Sequence, residues 1–189
     1  HFEARRQRQM CIRDRYNEGP ISFRYPRGSG EGVKIPDIYK PLEIGKGRVI
    51  SEGTKIAIIN LGTRLTEVKK AAEKLDSMGL STTIIDARFA KPLDENLIIS
   101  VAKNHELLIT IEEGSIGGFG SSVLSLLSDN SLLDEGLKIR NLVLPDKFIS
   151  HASPEEMYIE AKLMSDDIVE KALNVLKIKS PDLKIVNPK

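Results

Sequence analysis

Ile56-Ala57-Ile58-Ile59-Asn60-Leu61-Gly62-Thr63 is a short, almost unbroken apolar run closed by a turn residue and a helix-capping residue. A run without polar alternation suits a strand covered on both faces, and its length is that of a strand rather than a helix. Downstream, Leu65, Val68, Ala71, Ala72, Leu75 and Met78 recur at helical spacing. Thr63 reads as the N-cap of that helix and Gly79 as its stop. The alternation then repeats. Thr82 to Asp86 forms a second strand, and Asp94 caps a helix with Leu97, Ile98, Val101 and Ala102 on one face. Leu107 to Ile111 is a third strand. A helix from about Gly118 to Leu127 buries Val123, Leu124, Leu126 and Leu127, and Leu137 to Leu144 is a fourth strand.

Strands separated by helices cannot pair through hairpins, so they join by crossovers. The expected fold is therefore an α/β domain with an open, mainly parallel sheet and helices on both faces. Ser153-Pro154-Glu155-Glu156 announces another helix, with Ser as N-cap, Pro at the first position and Glu closing a capping box. Ser165 reads as the cap of a last helix carrying Ile168, Val169, Ala172, Leu173 and Leu176.

Upstream of Lys55 the pattern changes. Pro36, Pro41, Gly45 and Gly47 lie among polar residues from Glu31 to Thr54, which reads as a linker ending in a short strand near Arg48 to Ile50. The 189 residues suffice for one domain and an appendage. Hydrophobic residues make up 40% but aromatic residues only 5%, an aliphatic bias that suits buried parallel strands. The single cysteine, Cys11, excludes an intrachain disulfide and a cysteine-built metal site, and fits a reducing, cytoplasmic setting. No apolar run approaches the ~18 residues of a membrane span.

The net charge of +1 hides an asymmetry. Residues 1–15 hold five arginines against Glu3 and Asp14, which leaves a mildly acidic body. This arm has no period, no cap and no initiating Met, and is read as a non-native, artefactual extension on a fragment. A native basic helix and a nucleic-acid-binding arm are the lesser alternatives.

Several residues invite chemical readings. Gly114, Gly117, Gly118 and Gly120 follow a strand and open a helix, as a dinucleotide loop does, but the third glycine of that pattern is missing. Glu112 and Glu113 also place negative charge where a pyrophosphate would lie. Turn geometry is the expected use of the glycines, and binding to helix N-termini or to a neighbouring subunit that of the glutamates. An acid and base pair at a strand end is the sharper alternative. His105 and His151 stand alone and read as capping or surface histidines. Phe23-Arg24-Tyr25-Pro26-Arg27-Gly28 places Arg27 at the last extended residue before a turn, where a planar guanidinium suits a phosphate or carboxylate. Taken alone, that string also reads as a strand end with two solvated arginines.

Taken in order, five segments resemble one family. They are Gly19 to Gly28, Ile44-Gly45-Lys46-Gly47, Lys91-Pro92-Leu93-Asp94, Glu112-Glu113 before Gly117-Gly118-Phe119-Gly120-Ser121, and Leu144-Pro145-Asp146. The family is 1-deoxy-D-xylulose-5-phosphate synthase, and the likeness runs from about Tyr16 to the last helix. The resemblance implies the end of a pyrimidine-binding domain over residues 16–32, a linker and leading strand over 33–54, a transketolase-like C-terminal domain over 55–177, and a loose tail over 178–189. It implies a parent transferase that condenses pyruvate with glyceraldehyde 3-phosphate, losing carbon dioxide, on the route to isoprenoid precursors, thiamine and pyridoxal. The parent would be a cytoplasmic homodimer using thiamine diphosphate and magnesium, with no nucleic-acid or membrane partner. Of the family's site residues only Arg27 has a counterpart here, as a contact to the aldehyde's phosphate. No catalytic, cofactor or metal residue is carried over, so the fragment alone is expected to be inactive. The alternatives are the C-terminal domain of a 2-oxoacid dehydrogenase β subunit and a non-catalytic α/β interaction module.

Overall fold

The computed structural model describes Glu18–Pro20, Ser22 and Leu42–Ile178. Five strands form one sheet: β1 (Arg48–Ser51), β2 (Ile56–Leu61), β3 (Thr82–Asp86), β4 (Leu107–Glu112) and β5 (Lys138–Leu142). Their order is β1-β3-β2-β4-β5. Four strands are parallel, and β1 closes the β3 edge antiparallel, with Arg48 opposite Asp86. The helices are α1 (Leu65–Ser77), α2 (Glu95–Asn104), α3 (Phe119–Asp129), α4 (Pro154–Glu160) and α5 (Ser165–Leu176). The α/β fold read from the strand and helix alternation is the fold observed.

Constant crossover handedness sets which helix lies on which face. The chain moves one way across the sheet from β2 to β3 and the other way from β3 to β4 and β5, so the covering helices change face. Side-chain packing follows that rule. Ile56, Ile58, Ile109 and Ile111 pack with α1 and α5, whereas Ala57, Ile59 and Leu108 pack with α2 and α3. Period-2 alternation thus feeds two cores, which is why the central strands are apolar on both faces.

Local signals mostly acted where the sequence put them. Asp94 caps α2 by accepting from the Leu97 amide at 3.3 Å, and Ser153 and Glu156 form the capping box of α4. Gly79 ends α1 with φ +78, and the Leu80 amide reaches back to the Leu75 carbonyl at 2.9 Å.

Three expectations are corrected. Thr63 does not cap α1; Arg64 holds the N-cap position, and the Thr63 hydroxyl is drawn to Glu113 instead. Met164, not Ser165, is the N-cap of α5; Ser165 is its first helical residue, and its amide donates to buried Glu67 of α1 at 3.0 Å. Burial alone would raise the Glu67 pKa, but hydrogen bonds from Lys70 and Ser165 hold it below its ordinary value. Leu124 faces outward at 38% exposure rather than joining the core, because the buried stripe of α3 runs through Phe119, Val123 and Leu127.

At the opposite end of the strands, Glu106 bridges two lysines. Lys138 Nζ donates to its Oε1 at 2.5 Å and Lys55 binds its Oε2, joining the starts of β2, β4 and β5. The Lys138 hydrogen bond, then that of Lys55, pulls the Glu106 pKa down to about 2. A depressed folded-state pKa contributes stability above the usual value near 4.5 and loses it as pH falls toward 2. Because Glu106 is 37% exposed, solvent screening limits the gain to about 1 kcal/mol. Urea midpoints of the native chain and Glu106→Gln are therefore expected to differ modestly at pH 7 and to converge between pH ~4.5 and ~2. A gap that stays constant across that range would remove the clamp from the account.

Candidate functional site

Open parallel sheets take ligands at the C-terminal ends of their strands, where neighbouring connections leave in opposite directions. In this chain that crevice lies between the ends of β2 and β4. It is lined by the loop after β2, which carries Gly62, Thr63 and Arg64, and by the loop after β4, which begins at Glu113.

The crevice is filled by its own side chains. Glu113 Oε1 accepts from the Thr63 hydroxyl and, at 3.0 Å, from Arg64 Nε. Arg64 Nη2 reaches Thr63 Oγ1 at 3.3 Å, and the guanidinium carbon sits 3.5 Å from the centroid of the Tyr158 ring contributed by α4. Arg64 and Glu113 are only 14% and 24% exposed, so the pair is partly desolvated. Burial, then a hydrogen bond to Glu113, raises the Tyr158 pKa. Four groups from three segments thus lock the ends of β2 and β4 to α4. Beside them lies an open depression of about 270 Å³ lined by Arg64, Glu67, Pro154, Glu155, Tyr158 and Met164.

A second anion position, the N-terminus of α3, is occupied in the same way. Buried Glu112 turns its carboxylate into the first turn of the helix, where Oε1 accepts from the Gly120 amide at 2.8 Å. The glycines make room for that carboxylate. A Cβ at Gly114 or Gly118 would lie 2.5 or 2.6 Å from Glu112 Oε2, and one at Gly120 would lie 2.6 Å from Thr110 Oγ1. Gly117 supplies the turn with φ +95. Helix N-termini attract anions because unpaired amides and the helix dipole converge there. The anion here belongs to the chain.

The two glutamates are therefore bound to helix starts, Glu112 at α3 and Glu113 at the entry to α1, rather than arranged as an acid and base pair. His105 is a cap-region histidine of α2. Its Nδ1 lies 2.8 Å from the Val101 carbonyl, and its Nε2 lies 2.8 Å from Thr83 Oγ1 and 3.2 Å from the Gly53 carbonyl. His151 is exposed. Arg24, Arg27 and Cys11 lie outside the described residues. The role of Arg64 and Tyr158 was not anticipated from sequence. Arg64 was findable as a charged residue at the first turn after a central strand, but Tyr158 comes from a helix 94 positions away, and no local pattern links the two.

Thiamine diphosphate with magnesium requires exposed amides for the diphosphate and oxygen ligands for the metal. Among the described residues the Gly120 amide is taken by Glu112, and no cluster of three acidic, His or Cys side chains is placed to hold an ion. The described residues do not fit that group. No helix among them is long and apolar enough to cross a membrane.

Comparison with known proteins agrees with this architecture. A solved structure described as "Split gene transketolase, inactive beta4 tetramer" is similar to the chain, with a TM-score of 0.66 and 26% identity over 77% of this chain and 48% of that one. The chain thus spans about half the length of that relative. Residues 45–168 match the family described as "Transketolase, C-terminal domain", beginning just before β1 and ending within α5. On that match, over a sheet of the same class, the chain belongs to the transketolase C-terminal domain family.

Proposed function

We propose that this chain is the C-terminal part of a thiamine-diphosphate- and magnesium-dependent transferase. Its reaction condenses pyruvate with glyceraldehyde 3-phosphate, with loss of carbon dioxide, to 1-deoxy-D-xylulose 5-phosphate. Within that enzyme the domain serves packing and assembly rather than chemistry, in a cytoplasmic homodimer. The observation that carries the assembly role is the self-filled end of the sheet: Glu112 occupies the α3 N-terminus, and Glu113 with Thr63 and Arg64 occupies the crevice. Family membership supports a transketolase-like parent. A similar solved structure is described as a split-gene transketolase in an inactive beta4 tetramer, which supports an assembly role for a chain of this class.

The choice of synthase over a 2-oxoacid dehydrogenase β subunit rests on Gly19 to Gly28, whose second arginine, Arg27, would hold the aldehyde's phosphate. A charge-assisted hydrogen bond of this kind contributes about 1.5–3 kcal/mol. In the complete enzyme, Arg27→Ala is expected to lower kcat/KM for glyceraldehyde 3-phosphate roughly ten- to a hundredfold. Pyruvate and thiamine diphosphate affinity should stay near native, and Arg27→Lys should recover part of the loss, keeping charge without the bidentate fork. An equal loss in Arg24→Ala, or an unchanged response to the aldehyde in Arg27→Ala, would reduce the string to a strand end.

A further inference from the structure

Residues 143–160 contain no buried residue, the longest such stretch between residues 42 and 178. It is bounded by the buried Leu142 and Ala161. Within it lies α4, the one helix of the five with no buried residue. The stretch is tied to itself by polar contacts. Ser153 and Glu156 form the capping box of α4, and Lys147 Nζ meets Glu160 Oε1 at 2.9 Å, which closes the loop after β5 onto the far end of the helix. Its attachments to the rest of the domain are shallow. Leu144, Ile149 and Tyr158 pack, partly buried, against the core beneath α1 and α5, and the Leu144 amide donates to the Gly114 carbonyl at 2.9 Å. The Tyr158 ring lies over Arg64, and its hydroxyl is hydrogen-bonded to Glu113.

We propose that residues 143–160 form a flap over the crevice between β2 and β4, latched by Tyr158, which lifts as one unit while the sheet stays folded. Segments that open below the global unfolding free energy are those with few buried apolar contacts, and this stretch has none that is fully buried. One hinge is Lys162, held at φ +57 just after α4, where Ala161 and Leu163 drop into the core on either side. Lifting takes the Tyr158 ring off Arg64 and its hydroxyl off Glu113. Arg64, only 14% exposed under the closed flap, then meets solvent together with Glu113. The Lys147–Glu160 pair couples the Ile149 attachment on the loop to the Tyr158 attachment on the helix, so loosening either loosens both.

Hydrogen exchange of the 189-residue chain, read by mass spectrometry, tests the flap. A helix of 7 residues does not hold its hydrogen bonds once detached, so each opening frees the amides of α4. In the native chain the Met157 and Ala161 amides, which donate to the Ser153 and Met157 carbonyls at 3.0 and 2.9 Å, are expected to exchange roughly a hundredfold faster than those of α1 and α5. Ile149→Ala and Tyr158→Phe each remove one attachment. Either should speed exchange at both amides roughly tenfold, and should speed modification of Arg64 by phenylglyoxal by the same factor. Protection of α4 equal to that of α1 and α5 would overturn the proposal, since the stretch would then open only when the whole domain unfolds. An unchanged exchange rate in either variant, or an acceleration that spared Arg64, would overturn it too, because loop, helix and latch would then not move together. Neither readout involves turnover, so a failed synthase assignment leaves both results standing.

Discussion

Gly53→Ala is expected to lower the unfolding free energy by about 3 kcal/mol, among the larger effects that one added methyl group can have. A Cβ at residue 53 would lie 2.5 Å from both the backbone nitrogen and the backbone carbon of Thr82. A flexible side chain could yield, but the backbone of Thr82, the first residue of β3, cannot move without disturbing its pairing with Ile56 of β2. The same glycine ties three elements together: its amide donates to Thr83 Oγ1 at 2.8 Å, and that hydroxyl meets His105 at 2.8 Å. Gly79→Ala is the control. There the penalty comes only from φ +78 with nothing within 4 Å, so about 1–2 kcal/mol is expected. Urea unfolding of the three proteins should rank them native, Gly79→Ala, Gly53→Ala. Equal stability of the two variants would mean that the β1 edge is not seated on β3 as described.

Glu112→Ala is the second large effect, expected at about 2–4 kcal/mol from the loss of a charge-assisted hydrogen bond and of a charge favourable to the helix dipole. Substitution strips the buried Gly120 amide of its acceptor and leaves a cavity among glycines that cannot fill it. Glu112→Gln should recover roughly half, because the amide oxygen can still accept from Gly120 while the charge is gone. Matching losses in the Ala and Gln variants would assign the whole effect to charge. A native-like Ala variant would show that α3 needs no anion at its start.

Much of the fold was legible because its local and long-range signals agree. The apolar run Ile56–Leu61, the Asp94 cap and the Ser153 capping box each point to the element observed. Misreadings arose where a side chain had two possible partners. A threonine before a helix is a good cap, but Thr63 lies beside a carboxylate 50 positions on and takes that instead. Ser165 looks like a cap in sequence, yet the acceptor at that helix start comes from Glu67, 98 residues earlier. The same limit applies to the site. The tension between the glycine cluster and Glu112-Glu113 was visible in the string, and repulsion of a pyrophosphate followed from it. That the carboxylate of Glu112 itself takes the helix start depends on how β4 aims its last residue, which only the folded sheet defines.

The most direct measurement is calorimetric titration of this chain with thiamine diphosphate in the presence of magnesium. With both anion positions at the sheet end taken by Glu112 and Glu113, the account predicts no saturable binding below the millimolar range. Saturation at micromolar concentration would contradict it, because a diphosphate could bind that tightly only by displacing one of those carboxylates or through a site elsewhere in the chain.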